Sequence, residues 1–390
     1  MARPKKETQE ESEDPITSGK LKVLDAILIK NKNHHYAFDN KIDYVVSSGS
    51  LTLDIEMEGG IHPGIIRASG ITEGGKTSNA LAFARNFQIL HPEKGCVIYI
   101  KSEGRLSESM IARSGVTLDP GKWRVIPTND YEFVTDSMRE LIKNNDEGNL
   151  YFFIIDSLDA LVPRNDLTKS ATEANKTAGA ALLTADLLRK MAAAFASRGH
   201  ICFLISQVRS SIKINQYEKT DPKVTNASGG NAALHYSDWI MEFQQRWKDD
   251  QIFDVPKPQK GDHPVGHWCK IVFRKTPNEK SGREIKYPIK YGRSNGSSVW
   301  VEYEIVDQLL SWEFAHAKGA WITITDELIK ELSDNSLEMP KQHQGADNLK
   351  TFLEENPDIT KYLFNKFIST RITGFKPFNP RFKYPIKNTF

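Results

Sequence analysis

The stretch Gly70-Ile71-Thr72-Glu73-Gly74-Gly75-Lys76-Thr77 reads G-x-x-x-x-G-K-T, and it constrains the fold more than any other feature of the chain. A loop of this composition turns successive backbone N–H groups inward around a phosphate, and it needs a strand before it and a helix after it. Both flanks are present. Gly64-Ile65-Ile66-Arg67-Ala68-Ser69 suits a short buried strand, and Thr77 to Leu90 is rich in Ala, Leu and Phe with few breakers, as a helix requires. The positive end of that helix adds to the attraction for phosphate. Lys76 is expected to reach the β- and γ-phosphates and the Thr77 hydroxyl to coordinate Mg²⁺, with Ser78 next in the helix start. Residues 70–78 are thus predicted to bind a nucleoside triphosphate, taken as ATP, with Mg²⁺.

The surrounding pattern is α/β. Cys96-Val97-Ile98-Tyr99-Ile100, Tyr151-Phe152-Phe153-Ile154-Ile155 and Ile201-Cys202-Phe203-Leu204-Ile205 are continuous apolar runs of strand length. Such runs belong to a parallel sheet covered by helices on both faces. Ala178 to Phe195 between the last two carries apolar residues at helical spacing, which predicts a right-handed crossover. Chemistry-bearing residues follow these strands. Asp156 ends the second run and is the expected second carboxylate on the Mg²⁺ side. Glu103 follows the first run, where a carboxylate can orient or deprotonate an attacking water. Gln207 follows the third run, where an amide can bond the γ-phosphate and change position on hydrolysis.

After Gln207 the chain runs to Asn226 without clear periodicity, long for a structureless loop inside a compact domain. Arg209, Lys213, Lys219 and Lys223 alternate there with Ile212, Ile214 and Tyr217. This pattern suits a nucleic-acid strand, cations meeting phosphates and apolar side chains meeting bases, or else an ordinary solvated loop. Ser228-Gly229-Gly230-Asn231 closes the loop with a backbone suited to close approach. The formal net charge is only +2, so any nucleic-acid contact must come from such a local patch.

The ends differ in character. Residues 1–17 are too polar and acidic to bury much and are expected to be disordered. Residues 20–29 fit a short amphipathic helix, packing on the core or on another subunit. A polar, Gly-containing stretch at Ser294–Ser298 marks a boundary before a smaller domain ending in a helix-like run, Asp358 to Thr370. The last block, 371–390, holds five Lys or Arg and five aromatic residues without Asp or Glu. It suits DNA capture or anchoring on the protein itself. No run is long and apolar enough to span a bilayer, and Cys96, Cys202 and Cys269 lack metal-ligand spacing. A cytoplasmic protein with free, buried thiols and no membrane partner is expected.

Together these residues resemble the RecA family of DNA strand-exchange recombinases, in its bacterial and phage branch. Ser47-Ser48-Gly49-Ser50-Leu51-Thr52-Leu53-Asp54 with Gly59-Gly60-Ile61 is similar to the family's entry to its core. Asp156-Ser157-Leu158-Asp159-Ala160-Leu161-Val162-Pro163 resembles its Walker B segment, and Ser206-Gln207-Val208-Arg209 with Gly229-Gly230-Asn231-Ala232 the frame of its second DNA loop. Lys318-Gly319-Ala320-Trp321 and Phe352-Leu353-Glu354-Glu355-Asn356-Pro357 resemble its C-terminal domain, so the likeness spans roughly 20–370 in family order. It implies a P-loop ATPase core over 44–293 with a mostly parallel sheet, an N-terminal oligomerisation segment over 18–43 and a small C-terminal α/β domain over 294–370. It also implies helical filaments on single-stranded DNA that pair with homologous duplex DNA, in recombination and repair. Lys76, Glu103 and Gln207 would be catalytic, with DNA loops near 165–176 and between Arg209 and Ser228.

Four departures bear on this. Relatives place two lysines on a late strand to reach a neighbour's ATP, whereas here Lys275 alone matches, with Arg274 before it. Met110 stands where an aromatic packs on adenine, Leu234-His235 where relatives carry Lys-Phe, and Lys101 where an Asp is common. A hexameric motor or regulatory ring, or a filament with little turnover, are the alternatives.

Overall fold

The computed structural model describes residues 42–104, 106–167, 178–207, 230–255 and 258–373, and before them Val23, Ala26, Ile27 and Lys30. Those four positions are helical, where a helix over 20–29 is predicted, and they belong to a separate unit, Met1–Asn40. Everything below concerns the other unit, Lys41–Phe390.

The chain forms α1 (Leu51–Glu56), β1 (Gly64–Gly70), α2 (Lys76–Leu90), β2 (Gly95–Lys101), α3 (Glu108–Ser114), β3 (Trp123–Pro127), α4 (Tyr131–Lys143) and β4 (Leu150–Asp156). It continues with α5 (Arg164–Leu167), α6 (Ala178–Ser197), β5 (Ile201–Ile205), α7 (Gly230–Tyr236), β6 (Trp239–Phe243), β7 (Gln251–Ile252), β8 (Gly266–Lys275) and β9 (Glu284–Lys290). Local chemistry sets several starts: Ser50 Oγ accepts from Leu53 N at 3.1 Å to cap α1, and Asp130 Oδ1 accepts from Phe133 N at 2.9 Å to cap α4.

Among the described residues nine strands make one sheet, in the order β3-β2-β4-β5-β1-β6-β8-β7, with β9 paired to β8. β3 through β6 along that path are parallel, and β8, β7 and β9 add antiparallel pairs at one side. The apolar runs are central because both faces are covered: every residue of Phe152–Ile155 and of Ile201–Leu204 is fully buried. The register aligns Lys101 with Asp156, Asp156 with Ile205, and Ile205 with Ala68. The carboxyl ends of β2, β4, β5 and β1 therefore lie side by side, which is where open α/β sheets bind ligands.

After Gly292–Val299 come α8 (Val301–Ser311), β10 (Ala315–Lys318), β11 (Trp321–Ile324), α9 (Asp326–Asp334), β12 (Gln342–Gln344), α10 (Gly345–Glu355) and α11 (Pro357–Thr373). β10, β11 and β12 form a small antiparallel sheet. This region has its own apolar cluster, built on Ile305, Leu309, Leu332, Leu353 and Phe367, and it includes Leu51 and Ile55 from α1. The final helix runs past Thr370 to Thr373, and the rest of the tail lies outside the described residues. Of the three cysteines, Cys202 and Cys269 are buried while Cys96 is only half-buried, and all are free. No helix among the described residues is long and apolar enough to cross a membrane.

Candidate nucleotide site

The loop between β1 and α2 lines a cavity of about 620 Å³, together with Met110 and Arg113 from α3 and Tyr287 to Val299 from β9 and the turn after it. Gly70 has φ 136°, and a Cβ there would lie 2.2 Å from the Phe243 carbonyl oxygen of β6, so only glycine permits this approach. Gly75, at φ 105°, is the residue from which α2 starts.

Lys76 is buried and donates to the carbonyls of Gly70 (3.0 Å) and Ile71 (2.5 Å). Burial pulls its ammonium below the usual lysine range, while Asp156, Glu103 and Asp159 pull it back up. Thr77 Oγ1 donates to Asp156 Oδ2 at 2.9 Å, and Tyr99 OH donates to the same oxygen at 2.5 Å. Burial, reinforced by the Asp156 charge, pushes the Tyr99 phenol up, so it stays a donor at neutral pH. Gln207 Nε2 donates to Glu103 Oε1 at 3.1 Å, and Gln207 N donates to Asp159 Oδ2 at 2.5 Å. Glu103 N and Ser102 N both donate to the Asp156 carbonyl, which ties the turn after β2 to the end of β4.

The structure thus brings Lys76, Thr77, Asp156, Glu103 and Gln207 to one edge of the sheet. A hydroxyl beside a carboxylate is a hard oxygen pair suited to Mg²⁺, which prefers oxygen ligands and completes its shell from substrate phosphates. An ammonium bonded to two loop carbonyls is a donor that phosphate oxygens can engage instead. These residues fit a Mg²⁺-triphosphate.

Other predicted residues sit elsewhere. Arg274 on β8 forms a two-point pair with Glu242 of β6, at 2.8 and 3.0 Å, and Lys275 Nζ donates to the carbonyls of Leu234 and His235 at the end of α7, both at 2.8 Å. Neither lines the cavity. Gly230 and Asn231 begin α7. Arg209, Ile212, Lys213, Ile214, Tyr217, Ser228 and Gly229 lie outside the described residues, as does 168–176 of the first expected loop. Met110 lines the cavity.

Sequence reasoning missed Asp159, Tyr291 and Arg293. Asp159 was visible only as a member of a longer segment. The Tyr291-Gly292-Arg293 turn could have been flagged as an aromatic-Gly-cation step at a strand end.

The family model described as RecA N-terminal domain matches residues 28–263. The chain is 25% identical over 349 residues to Protein RecA of Bordetella avium, covering 87% of this chain and 88% of that protein. It is 26% identical over 328 residues to Protein RecA of Bordetella pertussis and of Bordetella bronchiseptica, covering 82% of this chain and 85% of each relative.

Proposed function

Since the chain belongs to the RecA family, whose N-terminal domain matches residues 28–263, we propose that it is an ATP-dependent recombinase of the cytoplasm. In this reading it assembles as a helical filament on single-stranded DNA and exchanges strands with a homologous duplex. The observation that carries the reading is the Gln207–Glu103 hydrogen bond. In this reading it joins the carboxylate that activates water to the residue from which the DNA loop departs. A γ-phosphate competing for the Gln207 amide would shift the start of that loop, and DNA held by the loop would shift Gln207 in return.

In this reading Lys76 and the loop amides neutralise the phosphates, and Thr77 and Asp156 would hold Mg²⁺, which would add further charge neutralisation there. Glu103 accepts a proton from the water that attacks the γ-phosphorus, and the bond to the β-phosphate oxygen breaks to leave ADP. The Tyr99 hydroxyl, bonded to Asp156, keeps that carboxylate oriented toward Thr77.

A second reading, a filament with little turnover, is favoured by the Arg274–Glu242 pair, which takes up the cation that would substitute for the second of the lysines that relatives direct at a neighbour's ATP. The test is ATPase activity with and without single-stranded DNA, with electron microscopy of the products. DNA-stimulated turnover on filaments supports recombinase action, closed rings would point to a motor, and filaments with negligible turnover to the second reading. Glu103→Gln should keep ATP and DNA binding but lower turnover by about 10²-fold or more; unchanged turnover removes Glu103 from the mechanism.

A further inference from the structure

The end of β9 and the turn after it line the cavity together with the phosphate loop, and Lys290 and Arg293 there are cations. Both are held by one carboxylate from the C-terminal region. Glu354, on α10, accepts at a single oxygen from Lys290 Nζ at 2.6 Å, from Arg293 at 2.7 Å and from the Trp300 indole at 2.8 Å. Arg293 also pairs with Glu302 at 2.9 Å, and Lys290 Nζ lies 4.7 Å from the Trp300 ring centroid. The side chains of Lys290, Arg293 and Glu354 are 27%, 17% and 25% exposed, so these charge-assisted bonds form well out of bulk water.

The same turn is fixed on its other side by backbone bonds to α3, Gly296 N to the Arg113 carbonyl at 2.7 Å and Asn295 N to the Ala112 carbonyl at 3.3 Å. The α3 side has no charge at stake. The α10 side depends on one carboxylate, without which Lys290 would lose its paired acid and Arg293 would keep only Glu302.

We infer that Glu354 is a positioning residue for the nucleotide, and that the C-terminal region thereby completes the wall against which the nucleoside rests. The inference rests on the reading of the cavity as the ATP site. It assigns Glu354 an effect on how tightly nucleotide is held and none on water activation by Glu103 and Gln207, which do not line the cavity.

The test is ATP binding by titration calorimetry, together with steady-state turnover, on the full-length protein. Glu354→Gln removes the charge and keeps the shape. It should raise the Kd and KM for ATP by roughly tenfold, the effect of one charge-assisted contact, with kcat changed by less than about twofold. Glu354→Asp should recover part of the affinity. Arg293→Gln approaches the same wall from the cavity side and should show the same split, which keeps the test decisive if Glu354→Gln folds poorly. Glu331→Gln is the control, since Glu331 pairs with Lys366 and Tyr362 within the C-terminal region and does not line the cavity. It should lower thermal stability without moving KM. Unchanged ATP affinity in Glu354→Gln beside a wild type that binds ATP would overturn the inference. So would an equal change in kcat, or an equal affinity loss in Glu331→Gln. A wild type that does not bind ATP would overturn the cavity reading itself, and this inference with it.

Discussion

His200 shows how one buried side chain sets the acid limit of this molecule. It is fully buried just before β5, and its Nδ1 faces the Tyr151 amide of β4 at 3.2 Å, a contact in which only an unprotonated nitrogen can accept. Burial, with Arg198 nearby, pushes the imidazole down to about 4. His91 and His267, both half-buried, are likewise held at about 4 by burial. A depressed folded pKa means that the unfolded chain takes up the proton first. The stability is fully present above about pH 6.5 and is lost as pH falls through about 4. For His200 the full loss is about 3 kcal/mol. Urea midpoints at about pH 7.5 and about pH 5 should therefore differ more in the wild type than in His200→Asn, whose side chain has no proton to gain. Equal differences in the two proteins would show that His200 does not set the acid limb. Nothing in the sequence marked this histidine, because its burial comes from β4 and β5 meeting across a long separation in the chain.

At the scale of elements, the phosphate loop is held by strands that its own sequence does not contain. Gly70 passes within 2.2 Å, measured from an added Cβ, of the Phe243 carbonyl on β6, and a Cβ on Gly75 would lie 3.3 Å from Cys269 Sγ on β8. Gly70→Ala is therefore expected to strain the β1–β6 pairing as well as the loop. It should cost about 2 kcal/mol or more through backbone strain alone and weaken ATP binding together with thermal stability. A melting curve and an ATP titration on the same preparation check this. Lost binding at unchanged melting temperature would place the role of Gly70 in the loop alone. The motif showed that glycine was needed here. That β6 is the reason could be seen only once strands distant in sequence had paired.

For the whole molecule, the C-terminal region and the core are one unit because each completes the other. Leu51 is fully buried and Ile55 nearly so, both in the C-terminal apolar cluster although they lie early in the chain. Glu304 of α8 accepts from Ser50 Oγ at 2.6 Å, from Leu51 N at 3.0 Å and from Thr52 N at 3.1 Å, which satisfies the start of α1. A chain truncated after Val299 would expose two apolar side chains and leave those donors unpaired. It should melt well below the full-length protein, without a sharp transition, when followed by circular dichroism. A truncated core that melts cooperatively at the full-length temperature would sink this view. By itself the sequence determined the strand–loop–helix around Gly70–Thr77, the parallel α/β core and the strand-end places of Glu103 and Asp156, because these depend on residue types at short spacing and on strand-length apolar runs. Tertiary structure alone decided that Gln207 bonds Glu103, that Arg274 is taken up by Glu242, and that α10 reaches back to the cavity through Glu354. Each is a contact between segments far apart in the chain, set by sheet order and helix packing, which local periodicity does not encode.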